Sequence, residues 1–144
     1  MVRPSVAPLF RGKQTAKELA EAGIDATLIP DSAIFCMMSR VNKVVVGTNA
    51  VLANGGLLAM SGVRMLAEAA KYYSVPFVVI SGMYKLSPVY PRGKDFFNDL
   101  SSPCSVISFE ELDNICRDNP HGVDVLNPSL DYIPPELVSL YLTN

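Results

Sequence analysis

The chain has 144 residues, 49% of them apolar and 18% charged, with a formal net charge of −2 at pH 7. That length suits one domain with a single hydrophobic core, and that composition excludes a disordered chain. The scattered lysines and arginines form no basic stripe, which argues against direct binding of nucleic acid. We find neither a membrane-spanning apolar run nor a secretory leader, so we expect a cytoplasmic protein without membrane contact.

The N-terminal part predicts a helix, a strand and a second helix. Residues 13–22 carry apolar side chains at helical spacing, and Gly23 favours a helix stop directly after them. Residues 24–29 are β-favouring and predict a strand. Asp31 is a good N-cap residue for a helix over residues 31–38.

The middle of the chain predicts a parallel sheet. Residues 41–47 form a β-branched run, which is typical of a strand covered on both faces. A helix over residues 57–73 and a buried strand over residues 76–81 follow. Because strands and helices alternate with short connections, we predict an α/β fold. Its Rossmann-like, mostly parallel twisted sheet would carry helices on both faces, in three layers.

The C-terminal part is richer in turns. Residues 82–103 predict one long loop, followed by a short strand over residues 105–109 and a helix from near Glu110. Residues 127–135 contain three prolines and must be largely extended. Residues 136–142 suit one or two helical turns. The whole chain is therefore expected to form a single domain.

Three cysteines and one histidine give no pattern of a metal or disulfide site. Cys36, Cys104 and Cys116 are odd in number and widely spaced, and His121 follows no zinc-binding spacing. No local motif supports Cys36 and His121 as a catalytic pair. We therefore expect buried or incidental thiols, no metal and no cofactor.

The turn Asn54-Gly55-Gly56 is the most site-like part of the sequence, because it lies between a predicted strand and a predicted helix start. Free backbone N–H groups there could hold a phosphate. The turn matches neither the dinucleotide fingerprint nor the P-loop, so a purely structural turn remains the alternative. Asp31 lies at the carboxyl edge of the predicted sheet, where it could contact a ligand or only cap a helix. The candidate ligand pocket consists of Asp31, Asn54, Gly55 and Gly56.

Five stretches spread along the chain carry a family resemblance. They are Ala7-Pro8 with Gly12, and residues 38–48, 52–56, 85–88 and 127–137. Together they resemble the regulatory-subunit family of eukaryotic initiation factor 2B, with its beta branch as the nearest likeness. That family has a helical N-terminal domain and a Rossmann-like C-terminal domain. The resemblance implies that residues 1–144 correspond to the C-terminal domain, without the helical one.

The resemblance also implies that the protein acts through its partners. Subunits of this family pair through their C-terminal domains, so we expect a homodimer or a heterodimer, with a delta-like subunit as the leading partner. The implied function is non-catalytic: regulation and scaffolding in the guanine-nucleotide exchange factor that serves translation initiation. Initiation factor 2 is the second implied partner, whose phosphorylated form the assembly senses.

The same superfamily contains sugar-phosphate isomerases that act on methylthioribose-1-phosphate or ribose-1,5-bisphosphate. Their acid/base aspartate, in an Asn-Gly-Asp motif, matches Gly56, which cannot transfer a proton. Other charged groups of the isomerases are replaced by Ala7, Asn49-Ala50 and Ala59-Met60. Their catalytic cysteine lies upstream of this chain, and Cys36 does not replace it. We therefore predict no catalytic residue, and keep an isomerase or a sugar-phosphate-binding sensor as the alternative.

Overall fold

The computed structural model describes residues 10–91, 99–118 and 123–144, which form both helices and strands. The helices in these ranges are α1 (Phe10–Glu21), α2 (Ile34–Met38), α3 (Val63–Tyr72) and α4 (Phe109–Asp118). The strands are β1 (Val44–Gly47), β2 (Ala50–Val51), β3 (Leu57–Met60), β4 (Phe77–Ile80), β5 (Leu130–Ile133) and β6 (Leu140–Leu142). Short 3-10 turns cover Asp31–Ala33, Met83–Lys85, Pro103–Ser105 and Pro135–Leu137.

The first sheet is parallel and has the order β1-β4-β6 among the described strands. Its register pairs Val44 with Phe77 and Val78 with Leu140. Parallel neighbours need a crossover connection, and α3 lies in the crossover between β1 and β4. This sheet and its helices confirm the predicted α/β class, and β1 and β4 lie inside the two strands predicted at residues 41–47 and 76–81.

A second sheet is antiparallel, in the order β2-β3-β5. Strands β2 and β3 form a hairpin in which Val51 pairs with Leu57. Strand β5 returns from much later in the chain, and its Ile133 pairs with Leu57 from the other side. The sequence analysis does not predict this sheet, because β2 has only two residues and β5 lies in a proline-rich segment.

The prediction of a helix over residues 57–73 is wrong for its first residues. Residues 57–60 form β3, and α3 begins only at Val63, after Gly62 at its N-cap. Leu57, Leu58 and Ala59 are all buried. A short, continuously apolar run is compatible with a buried strand as well as with a buried helix, and pairing with β5 decides for the strand.

Three further expectations need correction. Residues 24–29 form no strand, since no described strand pairs with them. Residues 105–109 are not a strand either, although α4 begins at Phe109, close to its predicted start. The predicted last helix is the 3-10 turn Pro135–Leu137 followed by β6, which pairs with β4.

Helix α1 confirms both the predicted first helix and the predicted stop at Gly23. It ends in a glycine cap in which Gly23 N–H donates to the Ala20 carbonyl at 3.0 Å and Ile24 N–H donates to the Leu19 carbonyl at 3.0 Å. Gly23 has φ +76°, the left-handed conformation that this cap requires.

The hydrophobic core lies between the parallel sheet and the helices α2 and α3. One face of the sheet contributes Val44, Val46, Phe77 and Val79, all buried. The helices contribute Ile34, Met38, Leu66, Ala67, Ala69 and Ala70. The small side chains of the buried alanines let α3 lie close to the sheet.

Candidate functional site

The turn Asn54-Gly55-Gly56 connects β2 to β3 and is closed by its own hydrogen bonds. Gly55 N–H donates to the Leu52 carbonyl at 2.9 Å, and Leu52 N–H donates to the Gly56 carbonyl at 2.8 Å. Gly56 N–H donates to the side-chain oxygen of Asn54, also at 2.9 Å. The turn is therefore a hairpin connection and not a helix start, and the N–H groups of both glycines bind other atoms of the chain.

Two tyrosines from different sheets hold this turn. Tyr132, on β5 of the antiparallel sheet, accepts a hydrogen bond from the Asn54 amide at 2.8 Å. Tyr141, on β6 of the parallel sheet, donates its hydroxyl proton to the Gly55 carbonyl. The turn thus links the two sheets through side chains that lie 78 and 86 residues further along the chain.

The hydroxyl of Tyr141 has a perturbed titration. Burial raises the pKa of Tyr141 above its ordinary value of 10.0, and the neighbouring Tyr132 raises the pKa further. Ionisation would also remove the proton that Tyr141 donates to Gly55. The neutral form is therefore the one that stabilises the fold.

We expect the chain to lose stability as pH rises above about 10, because unfolded Tyr141 then ionises while folded Tyr141 stays neutral. This contribution is complete below the unfolded pKa and disappears as pH rises through the folded pKa. Tyr141→Phe should cost about 1 kcal/mol at neutral pH and should flatten the alkaline loss. Urea unfolding at a series of pH values measures both effects. Tyr84→Phe, at an exposed position, keeps Tyr141 and should keep the alkaline loss.

Asp131 on β5 caps a helix that is remote in sequence. Its carboxylate accepts the Gly62 N–H at 2.7 Å and, in a longer contact, the Arg64 N–H at 3.4 Å. Gly62 is the N-cap of α3 and has no side chain that could do this. Asp131 therefore binds backbone N–H groups of a helix whose N-cap lies 69 residues earlier in the chain.

Asp131→Ala should therefore lower the free energy of unfolding by about 1–2 kcal/mol, since it leaves the first turn of α3 without its acceptor. Asp131→Asn keeps one acceptor oxygen without the charge, so we expect a smaller loss. Denaturant unfolding of both variants gives the comparison. Equal stability of Asp131→Ala and the unchanged chain would contradict the capping role.

Lys85 brings a positive charge to the carboxyl end of β1. Its ammonium group donates to the Thr48 carbonyl at 2.7 Å. Thr48 is buried, and its hydroxyl lies 2.6 Å from the Leu58 carbonyl and 2.9 Å from that of Ala50. Residues 48–50 contain no titratable side chain, and the fold brings a lysine to them from the 85–88 stretch.

Asp31, the fourth residue of the candidate pocket, opens the 3-10 turn before α2. The cap position belongs to Pro30, so Asp31 is the first residue of the turn and not its N-cap. The contacts that shape the 54–56 turn come from Tyr132 and Tyr141, neither of which belongs to the predicted pocket. Aromatic residues near the C-terminus carry no site signal in the sequence, and only the pairing of β5 with β3 and of β6 with β4 brings them here.

The described residues provide no arrangement that supports cysteine or histidine chemistry. Cys36 is exposed, Cys104 is partly exposed, and both are free thiols. His121 lies outside the described residues. Within residues 10–91, 99–118 and 123–144, no cluster of three His, Cys, Asp or Glu side chains is arranged to hold a metal. In the same ranges, no helix has both the length and the apolarity needed to cross a membrane.

The outer face of the parallel sheet is apolar and largely open. The register places Val45, Val78 and Leu140 in one row and Ile80 and Leu142 in the next. Only Val78 of this set is buried, whereas Ile80 and Leu140 are 52% and 51% exposed. Parallel sheets are normally covered on both faces, so this outer face is a surface that another structural element would cover.

A second apolar surface lies over α2 and α3. Phe35, Tyr72 and Tyr73 contact one another with ring centroids 5.1–5.2 Å apart. Phe35 and Tyr72, with Met65, line an open groove of about 760 Å³ that also reaches Asp131. The residues that line this groove include none of the four predicted pocket residues.

Comparison with known sequences gives a consistent set of relatives. A sequence model of the initiation factor 2 subunit family matches residues 5–144. Translation initiation factor eIF2B subunit beta of Dictyostelium discoideum is 54% identical over 138 residues, which cover 96% of this chain and 34% of that protein. The corresponding subunit of Schizosaccharomyces pombe is 54% identical over 129 residues, covering 90% and 32%. This chain therefore spans about a third of the length of these relatives.

Isomerases are similar at lower identity. The ribose 1,5-bisphosphate isomerase of Pyrococcus furiosus is 34% identical over 136 residues, which cover 94% of this chain and 41% of that enzyme. The crystal structure of 5-methylthioribose 1-phosphate isomerase from Pyrococcus horikoshii OT3 superposes with a TM-score of 0.76 at 28% identity, over 94% of this chain and 37% of that one. The tetrameric eIF2B-beta2-delta2 complex from C. thermophilum superposes with a TM-score of 0.63 at 30% identity, over 94% and 36%. Both kinds of protein share the Rossmann-like fold, so the fold alone does not separate them.

Proposed function

Since the chain belongs to the initiation factor 2 subunit family, we propose that it is the Rossmann-like C-terminal domain of a regulatory subunit in the exchange factor for initiation factor 2. The observation that carries this proposal is the 54% identity with eIF2B subunit beta over 96% of the chain. In this role the domain assembles and regulates the exchange factor in the cytoplasm, and performs no catalysis of its own.

The chemistry of the candidate site supports a non-catalytic role. Gly56 has no side chain, and the N–H groups of Gly55 and Gly56 are hydrogen-bonded within the turn. The amide of Asn54 binds Tyr132. General acid/base catalysis needs a titratable side chain that reaches the substrate, and this turn offers none.

The exposed apolar surfaces support assembly. The outer sheet face, defined by Val45, Ile80, Leu140 and Leu142, would be covered by a delta-type subunit in the assembled factor. A solved structure similar to this chain is that of the tetrameric eIF2B-beta2-delta2 complex from C. thermophilum, in which beta and delta subunits assemble. Initiation factor 2 would then bind the assembly and not this domain alone.

Affinity purification of the full-length protein from its own cells tests the proposal. We expect a delta-type subunit to be recovered in near-equal amount, and removal of the protein to alter nucleotide exchange on initiation factor 2. A protein that is recovered alone, in a lysate where the other subunits are present, would contradict the regulatory role.

A sugar-phosphate isomerase or sensor is the second candidate, and the 34% identity with ribose 1,5-bisphosphate isomerase favours it. Turnover of an aldose phosphate by the full-length protein, lost in the Asp31→Ala variant, would establish the enzyme. Thermal stabilisation by sugar phosphates without turnover would establish the sensor, because saturating ligand stabilises a fold by mass action.

A further inference from the structure

The space beside Gly56 is filled by an aromatic ring. A Cβ atom built on Gly56 would lie 2.5 Å from Cε2 and 2.8 Å from the hydroxyl oxygen of Tyr132. A Cβ atom does not make nonbonded contacts this short, so a side chain at position 56 requires the ring to move. Gly56 itself is buried, which leaves no open direction toward solvent.

Tyr132 has little freedom to move away. Its hydroxyl accepts the Asn54 amide at 2.8 Å, and its backbone lies in β5, paired with Leu58 of β3. The next residue, Ile133, is fully buried. Displacing the ring would break the Asn54 contact and expose the turn.

Gly55 and Gly56 are constrained for different reasons. Gly55 has φ +81°, which disfavours any other residue, but the nearest atom to an added Cβ is Pro135 Cβ at an ordinary 3.5 Å. Gly56 has no such backbone restriction, and its constraint is steric: the two shortest contacts are with the Tyr132 side chain, and the Asn54 side-chain oxygen follows at 3.0 Å. The adjacent glycines therefore offer a matched pair: one limited by backbone conformation, the other by a neighbouring side chain.

We propose that Tyr132 closes the 54–56 turn, so that a side chain at position 56, including a carboxylate, and the Tyr132 ring are mutually exclusive. Tyr132 is in this sense a specificity-determining residue, since it fills the space that a side chain at position 56 would occupy. A carboxylate could return to position 56 only together with a smaller residue at position 132. The meaning of this closure rests on the proposed non-catalytic function, but its test needs neither partner nor substrate.

The test is a double-mutant cycle on the chain, measured by thermal unfolding. Gly56→Ala should lower the melting temperature by roughly 5 °C when Tyr132 is present, as expected for overpacking of a buried site. In the Tyr132→Leu background the same substitution should cost less than about half of that. Tyr132→Phe loses the hydroxyl but keeps the ring and its shortest contact, at Cε2, so it should relieve much less of the cost of Gly56→Ala than Tyr132→Leu does. Gly56→Asp should follow the same pattern as Gly56→Ala.

Gly55→Ala is the control. It should lower the melting temperature through its backbone conformation, and by the same amount with Tyr132 or with Leu at position 132. Equal cost of Gly56→Ala in both backgrounds would overturn the proposal. If Gly56→Ala prevents folding, restored folding in the Tyr132→Leu background supports the proposal, and failure to restore it overturns it. Loss of partner binding in the full-length protein would bear on the proposed function alone.

Discussion

Replacing Leu57 by alanine is expected to lower the free energy of unfolding by about 3–4 kcal/mol. Leu57 is 0% exposed, and it pairs with Val51 on one side and Ile133 on the other. Truncation there removes apolar contacts in the middle of the antiparallel sheet, directly after the 54–56 turn. Because close-packed strands relax little around a missing side chain, the cavity adds to the lost transfer free energy.

Urea unfolding monitored by circular dichroism gives this value. The matched control is Leu126→Ala, which makes the same chemical change at a position that is 68% exposed and should cost less than about 0.5 kcal/mol. Similar losses for the two leucines would contradict the position of Leu57 in a buried strand.

If a delta-type subunit covers the outer sheet face, as proposed, joint replacement of Leu140 and Leu142 by glutamate should weaken its binding by about a hundredfold or more. Both leucines lie on the outer sheet face and are about half exposed. Burial of a leucine side chain contributes about 1.5–3 kcal/mol, and a carboxylate placed in an apolar contact adds a desolvation cost. A hundredfold loss corresponds to about 2.7 kcal/mol.

Size-exclusion chromatography and titration calorimetry with the purified partner measure this loss in the full-length protein. The control is Phe35→Glu with Tyr72→Glu, which places two carboxylates on the other apolar surface and should leave binding intact. Unchanged affinity of the Leu140 and Leu142 variant would remove the outer sheet face from the proposed interface. A large fall in its melting temperature would instead indicate that another part of the longer protein covers this face.

The candidate site was only partly predictable from the sequence. The turn itself is recognisable, because Asn-Gly-Gly is typical of a tight connection whatever elements flank it. Its surroundings depend on Tyr132 and Tyr141, which are distant in sequence and carry no pattern that relates them to the turn. The predicted partnership with Asp31 remains a prediction, whereas the hydrogen bonds of the two tyrosines follow from the pairing of β5 with β3 and of β6 with β4.

By itself the sequence determined the elements whose signals are local. Residues 13–22 predicted a helix that ends at Gly23, and the β-branched runs at residues 41–47 and 76–81 predicted the parallel strands, because spacing, caps and branching act within a few residues. Only the tertiary structure decided the conformation of residues 24–29, which have the composition of a strand but no described strand beside them. It also decided the conformation of residues 57–60 and 140–142. These form strands because distant segments satisfy their backbone N–H and C=O groups. A strand needs a partner that its own sequence does not contain, whereas a helix satisfies most of its hydrogen bonds internally.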